Sequence, residues 1–229
     1  MPSIRSALCF SIALLAPFQL GLAADDFSPI FNGRTLDGWT ALAGDTSSYY
    51  VEDGQLICKG DGRKFIFSEK QYANFVLRFE FKMDPGGNNG IGLRAPMNRR
   101  THLEGMEIQM IDDPYYTRGI PKPNKKPEEW TKVESYQRHG SIYGVVAAKP
   151  GHLKPAGQWN EQEIVCDGRR VKVTLNGTVI VDADLDRVKP VDGLDHPGLK
   201  SARGHLVLCA HGDYGAMVYF RNLRLKELK

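Results

Sequence analysis

The chain has 229 residues, of which 41% are hydrophobic and 25% are charged, an ordinary composition for a globular protein. This composition excludes intrinsic disorder, collagen and a coiled coil. Its 24 glycines and 13 prolines favour many turns over long helices. Lysine and arginine outnumber aspartate and glutamate by only 30 to 27 and form no long basic run, so nothing in the charge pattern indicates a nucleic-acid partner.

The amino-terminal segment has the pattern of a secretory signal peptide. Arg5 supplies a positive start, a mostly apolar run covers 7–22, and the small residues Ala23 and Ala24 follow. The run is short and has no basic stop-transfer flank, which favours cleavage over an uncleaved anchor. The sequence therefore predicts a signal peptide over 1–23. The mature chain, 24–229, is expected to be exported, periplasmic or secreted, without membrane insertion.

Three cysteines remain after removal of the leader, namely Cys58, Cys166 and Cys209. Their spacing has no CxxC or Cys/His pattern of a structural zinc site. An oxidising compartment permits one disulfide among them. Thiols that are buried as small hydrophobic side chains are the default expectation for all three.

Short alternating segments separated by turn residues run along the mature chain. A hairpin covers 49–58 with Asp53-Gly54 at its turn, and a second covers 170–182 with Asn176-Gly177 at its turn. A strongly alternating strand lies over 74–83. The further predicted strands are 90–94, 106–111, 141–146, 161–168, 170–175, 178–182, 205–211 and 217–225. Ten or more short strands without a helical period predict an all-β protein, a single-domain β-sandwich or jelly roll.

The segment over 112–140 is long for a connection within one domain. It is rich in proline and contains the aromatic residues Tyr115, Tyr116, Trp130 and Tyr136. Long loops of this kind are often lids or binding loops. We therefore expect this insertion to contribute aromatic side chains to a ligand site.

Alternation along the strands sorts their side chains onto two faces. If the apolar positions form the core, five polar side chains from four strands share the opposite face. They are Arg94, Glu107, Gln109, Tyr143 and His211. Polar residues on an outer face are usually only solvated, but a rigid sheet that directs several toward one surface suits a small-molecule site. Gly90 and Gly92 leave room above the sheet for a ligand.

A set of motifs then occurs in order along the chain. They are FNGRTLDGW (31–39), VEDGQL (51–56), FVLRFEFKM with PGGNNGIGLR (75–94), EIQMIDD (107–113), SIYG (141–144), WNEQEI (159–164), LNGTVIVD (175–182) and VYFRNLRLKEL (218–228). By these motifs the mature chain resembles the 3-keto-disaccharide hydrolase family over essentially its whole length. The resemblance implies a concanavalin A-like lectin/glucanase jelly roll and hydrolysis of the glycosidic bond in sugars already oxidised at C3. It also implies a functional partnership with a sugar 3-oxidoreductase that makes the ketone.

That chemistry can be assigned to residues. A ketone at C3 acidifies the hydrogen on C2, so a base can remove it, the group at C1 can leave, and water can add back. The reaction needs a base near C2, donors at the C3 oxygen and an acid at the leaving oxygen. We expect Glu107 to act as base or acid with His211 as its partner, since histidine exchanges protons near neutral pH. Arg94 and Gln109 are expected to stabilise the developing oxyanion.

Substrate binding is expected from four further residues. Tyr143 and Trp130 are predicted to stack on the sugar, and Asp113 and Asn89 lie in the matching motifs. The sequence predicts no organic cofactor. It leaves open a divalent metal ion held by His211 and Asp113, although Asp113-Pro114 is equally typical of a turn.

Two other functions stay open. A conventional glycosidase needs two carboxyl groups that flank one bond, but the outer face of the strand from Glu107 continues with Gln109 and Ile111 rather than with a second acid. A non-catalytic carbohydrate-binding module is the other alternative. It would use the same face for stacking on a sugar, without proton transfer.

Overall fold

The computed structural model describes residues 26–60, 64–98, 100–120, 122, 124–211 and 215–229, and the predicted leader over 1–23 lies outside them. In chain order the strands are β1 (Ser28–Pro29), β2 (Trp39–Ala41), β3 (Tyr49–Glu52), β4 (Gln55–Gly60), β5 (Ile66–Tyr72), β6 (Phe75–Met83), β7 (Asn88–Ala95), β8 (Met106–Ile111), β9 (Asn160–Asp167), β10 (Arg170–Leu175), β11 (Thr178–Asp184), β12 (Gly204–Leu208) and β13 (Gly215–Glu227). One short helix, α1 (Thr101–Glu104), precedes β8. The 3-10 turns are Leu42–Gly44, Tyr115–Arg118, Pro127–Glu129, Ser135–Gln137 and Pro197–Lys200.

The strands form two antiparallel sheets. The larger sheet has the order β11-β10-β9-β6-β13-β4-β3, with β1 paired to β13, and the smaller has the order β2-β5-β12-β7-β8. Most neighbours in space are distant along the chain, as the crossovers of a jelly roll require. The prediction of an all-β jelly-roll sandwich is therefore confirmed. No helix among the described residues is long and apolar enough to cross a membrane.

The core lies between the two sheets, and β6 shows how the sequence produces it. Phe75, Leu77, Phe79, Phe81 and Met83 are buried on one face of this strand, and the intervening residues are partly exposed. Burial of each such side chain contributes about 2 kcal/mol relative to its exposed state. Strict alternation therefore fixes which face of β6 meets the smaller sheet, because a one-residue slip would expose the whole row.

Two tight hairpins confirm the turn predictions. Asp53 and Gly54 join β3 to β4, and Asn176 and Gly177 join β10 to β11. All four residues have positive φ, between 48° and 82°, as a type I′ turn requires at its two central positions. Aspartate, asparagine and glycine tolerate this conformation better than other residues.

The predicted strand over 141–146 is not a strand. Ile142 forms only isolated bridges, with Ile108 of β8 and with Val146, and the segment between them is a turn. Backbone bonds from Gln109 N to Ser141 O and from Tyr143 N to Glu107 O attach the returning end of the insertion to the edge of β8. The residues of this segment therefore complete the sheet edge without extending the sheet.

Candidate functional site

A pocket of about 210 Å³ opens on the outer face of the smaller sheet, above β7 and β8. Its polar and titratable lining comes from Asn88, His102, Glu107, Gln109, Gln137, Tyr143 and His211. Its apolar lining comes from Ile111, Tyr116, Ile120 and Val133. The insertion after β8 thus forms part of the wall, as the sequence predicted for this long segment.

The floor of the pocket is the outer face of β8. Glu107, Gln109 and Ile111 alternate with three buried residues, Met106, Ile108 and Met110, that face the core. In the register of the sheet Glu107 lies beside Gly92 and Gln109 lies beside Gly90. The predicted placement of Glu107 and Gln109 on one face is therefore confirmed.

Glu107 and His211 form a hydrogen-bonded pair inside the pocket. The Nε2 atom of His211 lies 2.8 Å from Oε1 of Glu107, and the two side chains are 30% and 4% exposed. The ring of Phe65 meets His211 edge-on with a centroid distance of 5.8 Å. The carboxylate is thus shielded from solvent, while the imidazole is partly exposed and lines the pocket.

Gly90 makes the position of this carboxylate possible. A Cβ atom added at residue 90 would lie 2.7 Å from Cδ of Glu107 and would overlap with its Oε1 atom. Because no real Cβ contact is this short, the Glu107 side chain occupies the space above Gly90. The room that the glycine was expected to leave for a ligand is in part taken by the carboxylate.

His102 lines the pocket, although it was not among the residues predicted from the sequence. It lies in α1, a single turn just before β8, and its ring meets Tyr143 edge-on at 5.8 Å between centroids. Burial lowers the pKa of His102, and the nearby Glu107 opposes this only in part, so the ring is neutral at neutral pH. One helical turn is too short to show a helical period. The one signal in the sequence for a pocket residue here was the presence of a histidine in the THLEGMEIQ segment.

Tyr143 is held at the pocket by the insertion. Gln137 donates a hydrogen bond of 2.9 Å from Nε2 to the Tyr143 hydroxyl oxygen. Tyr136 meets the Tyr143 ring edge-on at 6.1 Å between centroids. The sequence prediction placed Tyr143 on this face, and the structure brings it there together with Glu107.

Asp192 and His196 form a buried pair that supports α1, the helical turn that carries His102. His196 Nδ1 lies 3.0 Å from the His102 carbonyl oxygen, and its Nε2 lies 3.0 and 3.1 Å from the two Asp192 carboxylate oxygens. Their side chains are only 7% and 1% exposed for Asp192 and His196. Burial alone would raise the pKa of Asp192, but hydrogen bonds from the Leu194 N–H and from His196 outweigh it and lower that pKa.

The Asp192–His196 pair also supports Tyr143, through contacts with the adjacent residue Gly144. Gly144 has a φ of 74°, and a Cβ added there would lie 2.8 Å from the His196 ring and overlap with Asp192 Oδ2. The Gly144 carbonyl also accepts a backbone hydrogen bond of 2.8 Å from Val191. The segment after β11 therefore packs against two of the elements that carry pocket side chains, α1 and the Tyr143 turn.

Arg94 is not in the pocket, so its predicted place beside the substrate is wrong. Its side chain donates hydrogen bonds to the carbonyl oxygens of Ala73 and Gly168, both at 2.8 Å, and to Asn74 Oδ1 at 3.0 Å. Its φ is 49°, and the pairing register between β7 and β12 shifts beside it. This β-bulge breaks the alternation on which the prediction relied. The buried guanidinium instead ties together loops at the end of the sheets.

Asn89 also faces away from the pocket. Its side chain is fully buried, donates to the Tyr49 hydroxyl at 3.2 Å and accepts from Gly90 N at 2.8 Å. Asn89 shares its face of β7 with Ile91, which belongs to the core. The predicted substrate contact is therefore wrong, and the neighbouring Asn88 lines the pocket in its place.

Asp113 and Trp130 do not line the pocket either. The Asp113 carboxylate accepts a hydrogen bond of 3.0 Å from the His139 backbone, and burial raises its pKa. Trp130 donates from Nε1 to the Lys125 carbonyl at 3.3 Å. Other residues of the insertion line the pocket. Alternation along the sequence predicts side-chain directions only in regular strands, and this segment consists of turns.

The structure does not bring His211 and Asp113 to one cavity. No group of three or more His, Cys, Asp or Glu side chains in the described part of the chain is arranged to hold a metal ion. The three cysteines Cys58, Cys166 and Cys209 are buried, as expected.

Comparison with known proteins identifies a family whose sequence profile this chain matches. The sequence profile of the 3-keto-alpha-glucoside-1,2-lyase-like domain matches residues 26–226. A 3-keto-disaccharide hydrolase from Bacteroides thetaiotaomicron is 27% identical over 241 aligned residues, which cover 92% of this chain and 81% of that protein.

Two crystal structures of candidate glycosyl hydrolases from Parabacteroides distasonis are also similar. One is 26% identical, covers 88% of this chain and 99% of its own, and has a TM-score of 0.70. The other, with 23% identity, 91% and 98% coverage and a TM-score of 0.74, shows the same fold. The prediction of a glycosidic-bond hydrolase is confirmed at the level of the family. The chain belongs to the family of 3-keto-alpha-glucoside-1,2-lyase-like domains.

Proposed function

We propose that this protein cleaves the glycosidic bond of sugars that carry a ketone at C3, by C2 proton abstraction, elimination at C1 and hydration. The observation that carries the proposal is the Glu107–His211 pair at 2.8 Å in the pocket. Glu107 is the one carboxylate among the described lining residues. A single carboxylate beside a histidine suits proton abstraction and re-delivery, whereas a conventional glycosidase needs two carboxyl groups. The names of the family and of its Bacteroides relative support the same substrate class.

In the proposed first step Glu107 takes the proton from C2. The electron pair of that bond moves toward the C3 ketone and then forms the C1–C2 double bond as the C1–O bond breaks. The leaving oxygen takes a proton from His211. Glu107 then returns its proton to C2, while water adds its hydroxyl at C1 and gives its other hydrogen to His211, so that the products are a 3-keto sugar and a free alcohol and both residues regain their starting state. No oxidant or reductant is consumed.

Tyr143 takes over the oxyanion role that was expected of Arg94. Because its hydroxyl oxygen already accepts a hydrogen bond from Gln137, its own hydrogen is directed elsewhere and can be donated to the C3 oxygen. Gln109 lies on the floor, and its buried Oε1 atom has no hydrogen-bond partner among the described residues. An unpaired buried oxygen is costly, so this amide is suited to bind a sugar hydroxyl.

The test compares a 3-keto-glucoside with its unoxidised parent and measures the released aglycone. We expect release from the keto sugar alone, and we expect Glu107→Gln to abolish it. Glu161→Gln, an exposed position on the larger sheet, serves as the matched control and retains full activity. Release from the parent would indicate a conventional glycosidase. Binding without any release would indicate a carbohydrate-binding module.

We also propose that the mature protein is exported and that a sugar 3-oxidoreductase supplies its substrate. The leader pattern over 1–23 and the need for a C3 ketone support this. Mass spectrometry of the protein from its native host tests it, since export predicts an amino terminus near residue 24. A full-length chain in the cytoplasmic fraction would contradict export.

A further inference from the structure

We propose that the pocket selects 3-keto-glycosides whose leaving group is an apolar aglycone, aryl or alkyl, rather than a second sugar. This inference rests on the proposed function, because it assigns the substrate class of the same pocket. It goes beyond that function, which concerns only the sugar and the bond that breaks.

The first observation is the change of polarity along the floor. Glu107, Gln109 and Ile111 follow one another on the outer face of β8, in the order carboxylate, amide and hydrocarbon. At about 3.3 Å per residue, the Cα atoms of Glu107 and Ile111 are about 13 Å apart. This length exceeds the width of one pyranose ring. A sugar whose C2 lies at Glu107 thus leaves the Ile111 end of the floor for whatever is attached at C1.

The second observation is the wall that the insertion builds at this end. The chain leaves β8 directly after Ile111, and the next turn places the 3% exposed Tyr116 in the pocket lining. The Tyr116 hydroxyl donates to the Gly86 carbonyl at 3.0 Å, and its ring, which meets Tyr115 edge-on at 5.1 Å between centroids, contributes hydrocarbon surface to the lining. Ile120 and Val133, both partly buried, complete this wall.

The wall is held in place by pairing between the two arms of the insertion. Ile120 N donates a hydrogen bond of 2.7 Å to Thr131 O, and the two residues form a bridge. Ile120 is therefore positioned by backbone contacts, and Val133 follows two residues after the bridge, so the apolar surface exists before a ligand binds. A preformed apolar surface favours an apolar group, because nothing has to be ordered on binding.

A second sugar fits this end poorly. Each of its hydroxyl groups that loses water against Ile111, Ile120 or Val133 without a hydrogen-bond partner weakens binding. Asn88, beside Ile111 in the register, is one polar residue that a sugar would meet here. An alkyl or aryl group instead gains free energy from burial of its own surface against these side chains.

The experiment compares kcat/KM for a hexyl 3-keto-glucoside and for a 3-keto-disaccharide with the same linkage. Both leaving groups are alcohols, so their acidities match better than those of a phenol and a sugar. We expect the hexyl substrate to be favoured about tenfold or more. Val133→Ser and Ile120→Ser are expected to lower kcat/KM for the hexyl substrate about tenfold and to leave the disaccharide within twofold. Val179→Ser, an exposed position on the larger sheet, is the control and changes neither.

The outcomes separate the two proposals. A preference for the disaccharide, or an equal loss for both substrates in Val133→Ser, would overturn the apolar aglycone and leave the proposed reaction standing. Absence of cleavage of either keto substrate would contradict the reaction. In that case calorimetry with hexyl glucoside still decides the inference, since the apolar wall predicts that Val133→Ser weakens binding and that Val179→Ser does not.

Discussion

The carboxylate of Glu107 lies directly above the backbone of Gly90 on the neighbouring strand. A Cβ atom at residue 90 would lie 2.7 Å from the carboxyl carbon. From this position Glu107 reaches His211 across β7, 2.8 Å away. The glycine therefore makes a diagonal contact possible, and a residue with no side-chain functional group permits the hydrogen bond between Glu107 and His211.

Gly90→Ala is expected to inactivate the enzyme without unfolding it. The backbone of Gly90 does not have the positive φ that favours glycine, so alanine is tolerated there, but its methyl group must displace Glu107. A shift of about 1 Å costs about 100-fold in kcat. The measurement is kcat on a 3-keto-glucoside alongside the thermal midpoint of unfolding. An active Gly90→Ala protein would show that Glu107 does not react from this position.

Arg94→Lys is expected to reduce stability while leaving the chemistry intact. The buried guanidinium donates to three carbonyl oxygens and to Asn74, and the single ammonium of lysine cannot reproduce this fork. Loss of these contacts is expected to lower the free energy of unfolding by about 2–3 kcal/mol. Chemical denaturation measures this, and kcat of the folded variant should stay within about twofold, as for a group that does not touch the substrate. A large fall in kcat with unchanged stability would restore Arg94 to the site.

Asp192→Asn tests the contribution of the Asp192–His196 pair, which supports His102. Removal of one partner of a buried pair is expected to cost about 3 kcal/mol of stability at neutral pH. Because the folded state lowers the pKa of Asp192, its contribution is fully present above the unfolded pKa, about 3.9, and is lost as pH falls through the lower folded value. The difference between wild type and variant should therefore shrink only below about pH 4. A constant difference down to pH 2 would show that the charge of Asp192 is not responsible.

His139 predicts a second, separate pH dependence of stability. It is buried, lies 3.0 Å from Gln162 Oε1 and stacks on Phe81, and burial lowers its pKa to about 4. In the unfolded chain the pKa of His139 is about 6.5. Between about pH 6.5 and pH 4, therefore, His139 binds a proton in the unfolded chain but not in the folded one. Stability should therefore fall by about 3 kcal/mol as pH drops from about 6.5 to 4.

The variant His139→Gln isolates this effect. Glutamine does not titrate, so its unfolding free energy should lose this slope between about pH 6.5 and 4. Urea denaturation at several pH values makes the comparison. An identical slope in both proteins would assign the pH dependence to other groups.

The regular strands were predictable because their information is local. In β8 every second residue is apolar, so the sequence placed Glu107 and Gln109 on one face before any contact was known. The Asp53-Gly54 and Asn176-Gly177 turns were readable for the same reason, since few residues accept their backbone angles. Local patterns of this kind determined the all-β fold and the floor of the pocket on β8.

Which residues surround the floor of the site depended on the tertiary structure. A bulge at Arg94 reverses the direction of one side chain, and no period indicates where an alternating strand will slip. His102 reaches the pocket from a single helical turn that is held by His196, 94 residues later in the chain. Trp130 and Asp113 lie in a segment of turns, whose side-chain directions follow from long-range packing. A period of two specifies a face only where the backbone is regular, and contacts between distant segments decide the rest.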